Sequence, residues 1–266
     1  MNMELLKYFN ASKGQFDFLT LKDEKWTEFV TILPSGFRDC YIQEEELQHR
    51  MKTFSSSKEN EFSEILPTLG NIKSGDFGEI LSYFLIKERY KKQKIDGPQK
   101  WRWKQEKNVA APYSDVILFT KKIEKPSKDD LLISVESKMK ATLKKKYHPI
   151  QKAIDGAEKD YVSRMAHSLS WLRKKYKEES LKVNAPVEQL KEYVAILERF
   201  IKSEIFGEYK KYIKAVAIVD KSFLSDEVKK KIAMPSLSGT DLEIMIVSIK
   251  DLKRTYETIF TNIPKL

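Results

Sequence analysis

The residues best suited to chemistry fall in two apolar stretches. Asp115 lies near the start of YSDVILF (113–119), and Glu136, Ser137 and Lys138 close LLISVESK (131–138). Both stretches have the apolar and β-branched content of strands. In a strand, residues two apart share a face, so Glu136 and Lys138 project together while Ser137 points the other way. The segment between the stretches, KKIEKPSKDD (121–130) with Pro126, is a charged loop. Across such a loop the two strands pair as an antiparallel hairpin, which sets Asp115 beside Glu136. Glu79, in a helical pattern upstream, is available as a third carboxylate.

Two acids and an amine so placed suit phosphodiester hydrolysis. Mg²⁺ is a hard ion that takes oxygen ligands and keeps several waters, so one or two carboxylates and a phosphate complete its shell. Asp115, Glu136 and the Ser137 carbonyl can supply those oxygens, and Mn²⁺ would fit the same set. Such an ion polarises the scissile phosphate and acidifies a bound water. Lys138 can orient or deprotonate that water, or offset charge on the phosphate. The role of base requires its pKa to fall.

These residues need a scaffold, and hydrophobic periodicity outlines one. The first 20 residues have no regular pattern. Trp26–Leu33 (WTEFVTIL) has strand content, closed by Pro34-Ser35-Gly36, and Cys40–Ile42 reads as a second short strand. Glu44–Thr53 reads as a polar helix and 55–58 as a loop. A strong helix, capped by Ser74 or Asp76, carries Phe77, Ile80, Leu81, Phe84 and Leu85 at helical spacing to about Arg89. Asp96-Gly97-Pro98 marks a turn, and Trp101–Glu106 alternates like a strand ahead of the Asp115 and Glu136 strands. Beyond them lie helices over 150–177 and 187–204, a strand at Tyr212–Val219, a helix at Ser225–Ile232, a strand at Leu242–Ile249 and a helix at Asp251–Ile259. The expected fold class is α/β: a mixed central sheet flanked by helices. The chain reads as a single domain, 1–266, with 1–70 an extension to its core.

Composition bounds the partners. The chain has 266 residues, with 49 Lys+Arg against 39 Asp+Glu, a formal charge of +10. That charge favours an anionic partner, nucleic acid first and an anionic membrane surface second. No apolar run approaches the roughly 20 residues of a membrane span, and the opening Met-Asn-Met-Glu-Leu-Leu-Lys lacks a signal-peptide pattern. The single cysteine, Cys40, excludes an internal disulfide and multi-thiolate zinc, and a reducing cytoplasm is expected.

Asp115, the spacer 116–135 and Glu136-Ser137-Lys138 resemble the D…(D/E)-x-K motif of the PD-(D/E)xK, restriction-endonuclease-like nucleases. The helix with Glu79, three strands, a helix and a strand resemble the αβββαβ core of that superfamily. A narrower likeness is to the HamA family, nuclease subunits of Hachiman anti-phage systems, whose GE-containing first helix GDFGEILSYFLIKERY (75–90) resembles. The resemblance implies a metal-dependent DNA nuclease in phage defence, held in check by a HamB-like helicase subunit in a heterodimer or larger complex. It makes Glu79, Asp115, Glu136 and Lys138 the active-site residues. One departure is that no proline directly precedes Asp115: the element reads APYSD (111–115), with Pro112 three residues upstream.

Blander readings stand beside these. Taken alone, Glu79 reads first as a solvated helix residue, although Gly78 before it hints at close packing. Asp115 is equally a turn acid, and Glu136 with Lys138 an exposed strand-end pair. Of the lysine runs, Lys144-Lys145-Lys146 is the one expected to grip a DNA backbone, and Lys140 extends the same strand face toward phosphate. Trp101 and Trp103 read as one core and one solvent residue, His148 as a loop histidine and Gln151 as a solvated helix start. Two other functions share this fold: a non-catalytic nucleic-acid-binding or adaptor subunit, and a nuclease acting on RNA.

Overall fold

The computed structural model describes residues 3–120, 128–143, 146–182, 185–202, 209–235, 237 and 242–266. A seven-stranded mixed sheet runs through it. In chain order the strands are β1 (Phe9–Lys13), β2 (Asp17–Leu21), β3 (Ile95–Asp96), β4 (Val116–Thr120), β5 (Leu131–Lys140), β6 (Lys210–Asp220) and β7 (Leu242–Ile249). Across the sheet the order is β1-β2-β7-β6-β5-β4-β3. The β3-β4-β5 meander is antiparallel, and β5, β6, β7 and β2 run parallel.

The helices are α1 (Trp26–Tyr41), α2 (Glu44–Phe54), α3 (Lys58–Ile65), α4 (Gly70–Arg89), α5 (Pro149–Lys159), α6 (Met165–Ser180), α7 (Val187–Lys202), α8 (Lys221–Lys229) and α9 (Leu252–Asn262). They cover both faces of the sheet. One apolar layer joins α1, α4 and α9 to Ile133, Val135, Val216 and Ile218, and the other joins α5, α6 and α7 to Leu132, Ala215 and Ala217. Alternate residues of β5 and β6 therefore enter opposite layers, as the two-residue period of a buried strand requires. The order α4, β3-β4-β5, α5, β6 is the helix–three strands–helix–strand sequence expected.

The expected mixed α/β architecture is found, with corrections near the N-terminus. The first 20 residues are not irregular: β1 and β2 form a hairpin that turns at Gly14, and β2 adds to the edge of β7. The strands expected at 26–33 and 40–42 are one helix, α1, with Pro34 inside it. Its buried residues, Phe29, Val30, Leu33, Phe37, Cys40 and Tyr41, recur every three to four positions, and that period outweighs β-branched content. Residues 58–65 form a helix, capped by the Ser57 side chain accepting from Asn60 N–H. The helix bearing Glu79 starts at Gly70, four residues ahead of Ser74, and Asp76 lies buried within it. Trp101 belongs to a short 3-10 turn, Lys100–Trp103, and the third meander strand is instead Ile95–Asp96.

Candidate active site

The register of β4 on β5 ends at Val116 opposite Val135, and one step further sets Asp115 across from Glu136. Both acids reach Lys138. Its ammonium donates to Glu136 Oε1, lies 3.4 Å from Asp115 Oδ2 and is 3.1 Å from the Ser137 carbonyl oxygen. Asp115 Oδ2 also accepts from the Ser137 N–H at 2.9 Å, which fixes the acid at the mouth of the strand. The geometry thus gathers Asp115, Glu136 and Lys138 on one sheet face. β5 continues to Lys140, so the acid–x–lysine triplet sits inside a strand and not at its end.

Glu136 is 3% exposed, and its surroundings explain how it is held. It packs on Gly156 of α5, where an added Cβ would come within 2.5 Å of Glu136 Cγ and closer still to its carboxylate. Its second oxygen accepts from Arg164 Nη2 at 2.7 Å, and the same nitrogen donates to the Gly156 carbonyl at 2.7 Å. Arg164 ends a π-helical turn, Asp160–Arg164, between α5 and α6. Such turns insert a residue and re-aim the side chains downstream. Arg164 Nε also lies 2.8 Å from Asp160, which is fully buried and accepts from Ser134 Oγ at 2.6 Å. Sequence reasoning misses Gly156, Asp160 and Arg164. The signal available is a glycine inside an otherwise good helix.

Burial, then the charge of Asp115, raises the Glu136 pKa above the usual carboxylate range, against the pull of Lys138 and Arg164. Burial raises that of Asp160, with the Ser134 hydrogen bond opposing. For Lys138, burial favours the neutral amine, but Asp115 and Glu136 outweigh it and the pKa rises. Lys138 between these carboxylates is a firm cation and no base.

Glu79 belongs to a different layer. Gly78 packs on the opposite side of β5, where an added Cβ would lie 3.2 Å from Ser137 Oγ, and Ser82 Oγ donates to Ser137 Oγ at 3.0 Å. Gly78 marks close packing, as expected. Glu79 itself is buried, accepts from Trp101 Nε1 at 3.1 Å and pairs with Lys100 at 3.3 Å. Burial pushes its pKa up to about 8, with Lys100 opposing and the charge of Asp115 adding. Glu79 feels Asp115 through space, but among the described residues no direct bond joins it to Asp115, Glu136 or Lys138. Beside it, Asp76 accepts from Tyr41 at 2.5 Å, both buried, and pairs with half-buried Lys104 at 2.6 Å.

The expected phosphate contacts fare unevenly. Lys140 is 4% exposed and pairs with buried Glu227 at 2.6 Å, so it cannot reach a phosphate. Strand alternation gives its face correctly but not the helix α8 that covers it. Lys144 and Lys145 lie outside the described residues, as does most of the 121–130 loop with Pro126, and Lys146 is exposed. His148 Nδ1 lies 2.9 Å from Glu227, and Gln151 ties α5 to Ala233. Trp101 is core and Trp103 half-buried. Cys40 is buried, which pushes its thiol up to about 12. Among the described residues no group of three or more His, Cys, Asp or Glu side chains is gathered to hold a metal, and no helix is long and apolar enough to cross a membrane.

A comparison with curated proteins finds none that matches the chain. The sequence model of one family, described as HamA, matches residues 6–263, from the turn before β1 to the end of α9. The match takes in the sheet, the helices on both its faces and every residue of the acid–lysine cluster. The chain therefore belongs to the HamA family, components of Hachiman-type anti-phage systems.

Proposed function

We propose that the protein is a metal-dependent DNA nuclease, the effector of its defence system, working under the control of a helicase partner. The observation that carries this reading is the convergence of Asp115 and Glu136 on the Lys138 ammonium, on one face of an antiparallel strand pair. Two acids that share a half-buried cation form a site already adapted to positive charge. The donor set of two carboxylates and the Ser137 carbonyl is all oxygen, which suits Mg²⁺ or Mn²⁺ and leaves positions for water and phosphate. Bound there, such an ion would neutralise the scissile phosphate and acidify a water.

The chain's own residues do the rest. Lys138, held cationic, donates to a phosphate oxygen and offsets the charge that builds on it. Arg164 fixes one oxygen of Glu136, and the other accepts from Lys138 within the site. Asp115 is locked by the Ser137 N–H. Glu79, held by Trp101 and Lys100 in the α4 layer, flanks this set. Lys146 at the surface, with Lys144 and Lys145 beside it in sequence, supplies non-specific backbone contacts whose strength falls steeply with salt. The +10 charge suits a polyanionic substrate.

The test is plasmid cleavage by the chain together with its helicase partner, with Mg²⁺, Mn²⁺ or chelator. Wild type cuts with either ion and not with chelator. The Glu136→Ala/Lys138→Ala variant loses cleavage by at least about 1,000-fold, since both electrostatic groups are gone. A double variant that cuts as well as wild type sinks the assignment.

A further inference from the structure

Two residues before Asp115 stands Tyr113, whose backbone has φ 66°. The other described non-glycine residues at positive φ are Ser55, Lys94 and Asp251; Tyr113 is the aromatic among them. A bulky residue held in this sparsely populated conformation points to a constraint beyond local preference. The constraint presents a ring: Tyr113 is 45% exposed. It lies against Trp171, with centroids 5.9 Å apart, and nearly parallel to His167, at 16° and 6.5 Å. Trp171 is backed edge-on by Trp103 at 5.7 Å, and Trp103 by buried Tyr176 at 5.3 Å. The aromatic surface is therefore rigidly supported from below.

This surface is joined to the acid–lysine cluster. Ser114, between Tyr113 and Asp115, is pinned on every side. Its N–H donates to Ser168 Oγ at 3.2 Å, its hydroxyl shares a 2.8 Å bond with the same oxygen, and its carbonyl accepts from Lys100 at 2.8 Å. Tyr113, Ser114, Asp115, Ser168 and Trp171 line one small recess. Along the helix, Arg164, Ser168 and Trp171 recur at helical spacing on one face. About 10 Å of axial rise separates the arginine that holds Glu136 from the tryptophan of the aromatic surface.

We propose that Tyr113 and Trp171 form a stacking shelf for an unpaired nucleobase next to the cluster, and that the chain engages single-stranded DNA in preference to closed duplex. The proposal rests on the nuclease reading for what happens to that strand. Aromatic faces accept any base by stacking, but only a base outside a duplex offers its face. An exposed tyrosine ring beside a half-buried, supported indole, two residues from a phosphate-handling acid, fits that task. Closed duplex, whose base faces are covered, gains nothing from it.

The experiment uses the full chain, a short fluorescein-labelled single-stranded oligodeoxynucleotide and its duplex form, with chelator present so that nothing is cut. Tyr113→Ala and Trp171→Ala each weaken single-strand binding about tenfold and together about a hundredfold, while duplex binding stays within about twofold. Tyr113→Phe and Trp171→Phe bind like wild type. Tyr113→Gly removes the ring and also relieves the positive φ. It binds single strands as poorly as Tyr113→Ala but melts no lower than wild type, so the test survives if Trp171→Ala fails to fold. Unchanged single-strand binding in these variants, or equal losses for both DNA forms, overturns the shelf. Selective loss of single-strand binding in a chain that, even with its helicase partner and Mg²⁺, cleaves nothing keeps the shelf and overturns the nuclease reading.

Discussion

Gly156→Ala separates activity from stability. Helix α5 brings residue 156 so close to Glu136 that a methyl group there would sit within 2.5 Å of Glu136 Cγ, whereas ordinary contacts start at 3.4 Å. The nearest atoms, Glu136 Cδ and Oε1, would lie at 2.4 Å, so the side chain must retreat by 3.4 − 2.4, or about 1.0 Å. A shift of that size in a catalytic group costs on the order of 100-fold in rate. It also loosens the bonds of Glu136 to Lys138 and Arg164. Against this, alanine in a helix interior is favoured over glycine by about 1 kcal/mol, so the melting temperature should move little. Plasmid cleavage with Mg²⁺, measured beside thermal unfolding, reads both effects. Glu136→Asp in the Gly156→Ala background withdraws the carboxylate by one methylene and should recover part of the lost rate. A Gly156→Ala protein that folds normally and cuts at the wild-type rate would refute the claim that the position of Glu136 is what α5 protects.

Three more outcomes rest on the same geometry. Arg164→Ala removes a partner of both Glu136 and Asp160, and for this partly exposed arginine it should cost about 1–3 kcal/mol in denaturant unfolding. Losing that positive charge also raises the Glu136 pKa further, so the acid limb of the cleavage–pH profile should move to higher pH; an unmoved limb would break the link. Glu79 binds its proton more tightly when folded, with a pKa near 8 against 4.5 for the ordinary group. The folded state thus holds a proton that the unfolded state has released, and this group's contribution falls as pH rises from about 4.5 to 8, by up to about 5 kcal/mol. Glu79→Gln should flatten the decline in melting temperature over that window, and an unchanged slope would contradict it. Lys138→Ala leaves Asp115 and Glu136 without their shared cation, so added Mg²⁺ should raise the melting temperature of this variant more than that of wild type. Equal shifts would speak against a divalent site between the two acids.

Much of the site is legible in the sequence because strand periodicity is short-range. The faces of 116–119 and 131–138 come from alternation alone, and the hairpin comes from their proximity in the chain; residues 113–115 precede β4 instead of belonging to it. What alternation cannot give is which helix lies on each face. Lys140 reads as a phosphate contact until α8 brings Glu227 over it. Alternation likewise does not foretell that α4 packs on the Ser137 side of β5 and sets Glu79 against Trp101 and Lys100. Helix α1 reads as two strands because its β-branched residues and its proline dominate a short window, while its buried face emerges only over the full 16 residues. The N-terminal hairpin escapes a local reading because its first strand is mostly exposed and its second pairs with residues more than 200 positions away.

The π-helical turn at 160–164 has a geometric meaning for the whole distal half of the continuous helix formed by α5 and α6. One residue advances an ordinary helix by about 100°. Excising a single position from that turn would restore uniform winding and leave Gly156 where it is, yet swing every downstream side chain by more than a quarter revolution. Ser168 would lose its grip on Ser114, and the indole of Trp171 would face away from Tyr113. The irregular winding is thus a phase adjuster: it lets one continuous helical rod address the strand acid at one end and the aromatic surface at the other.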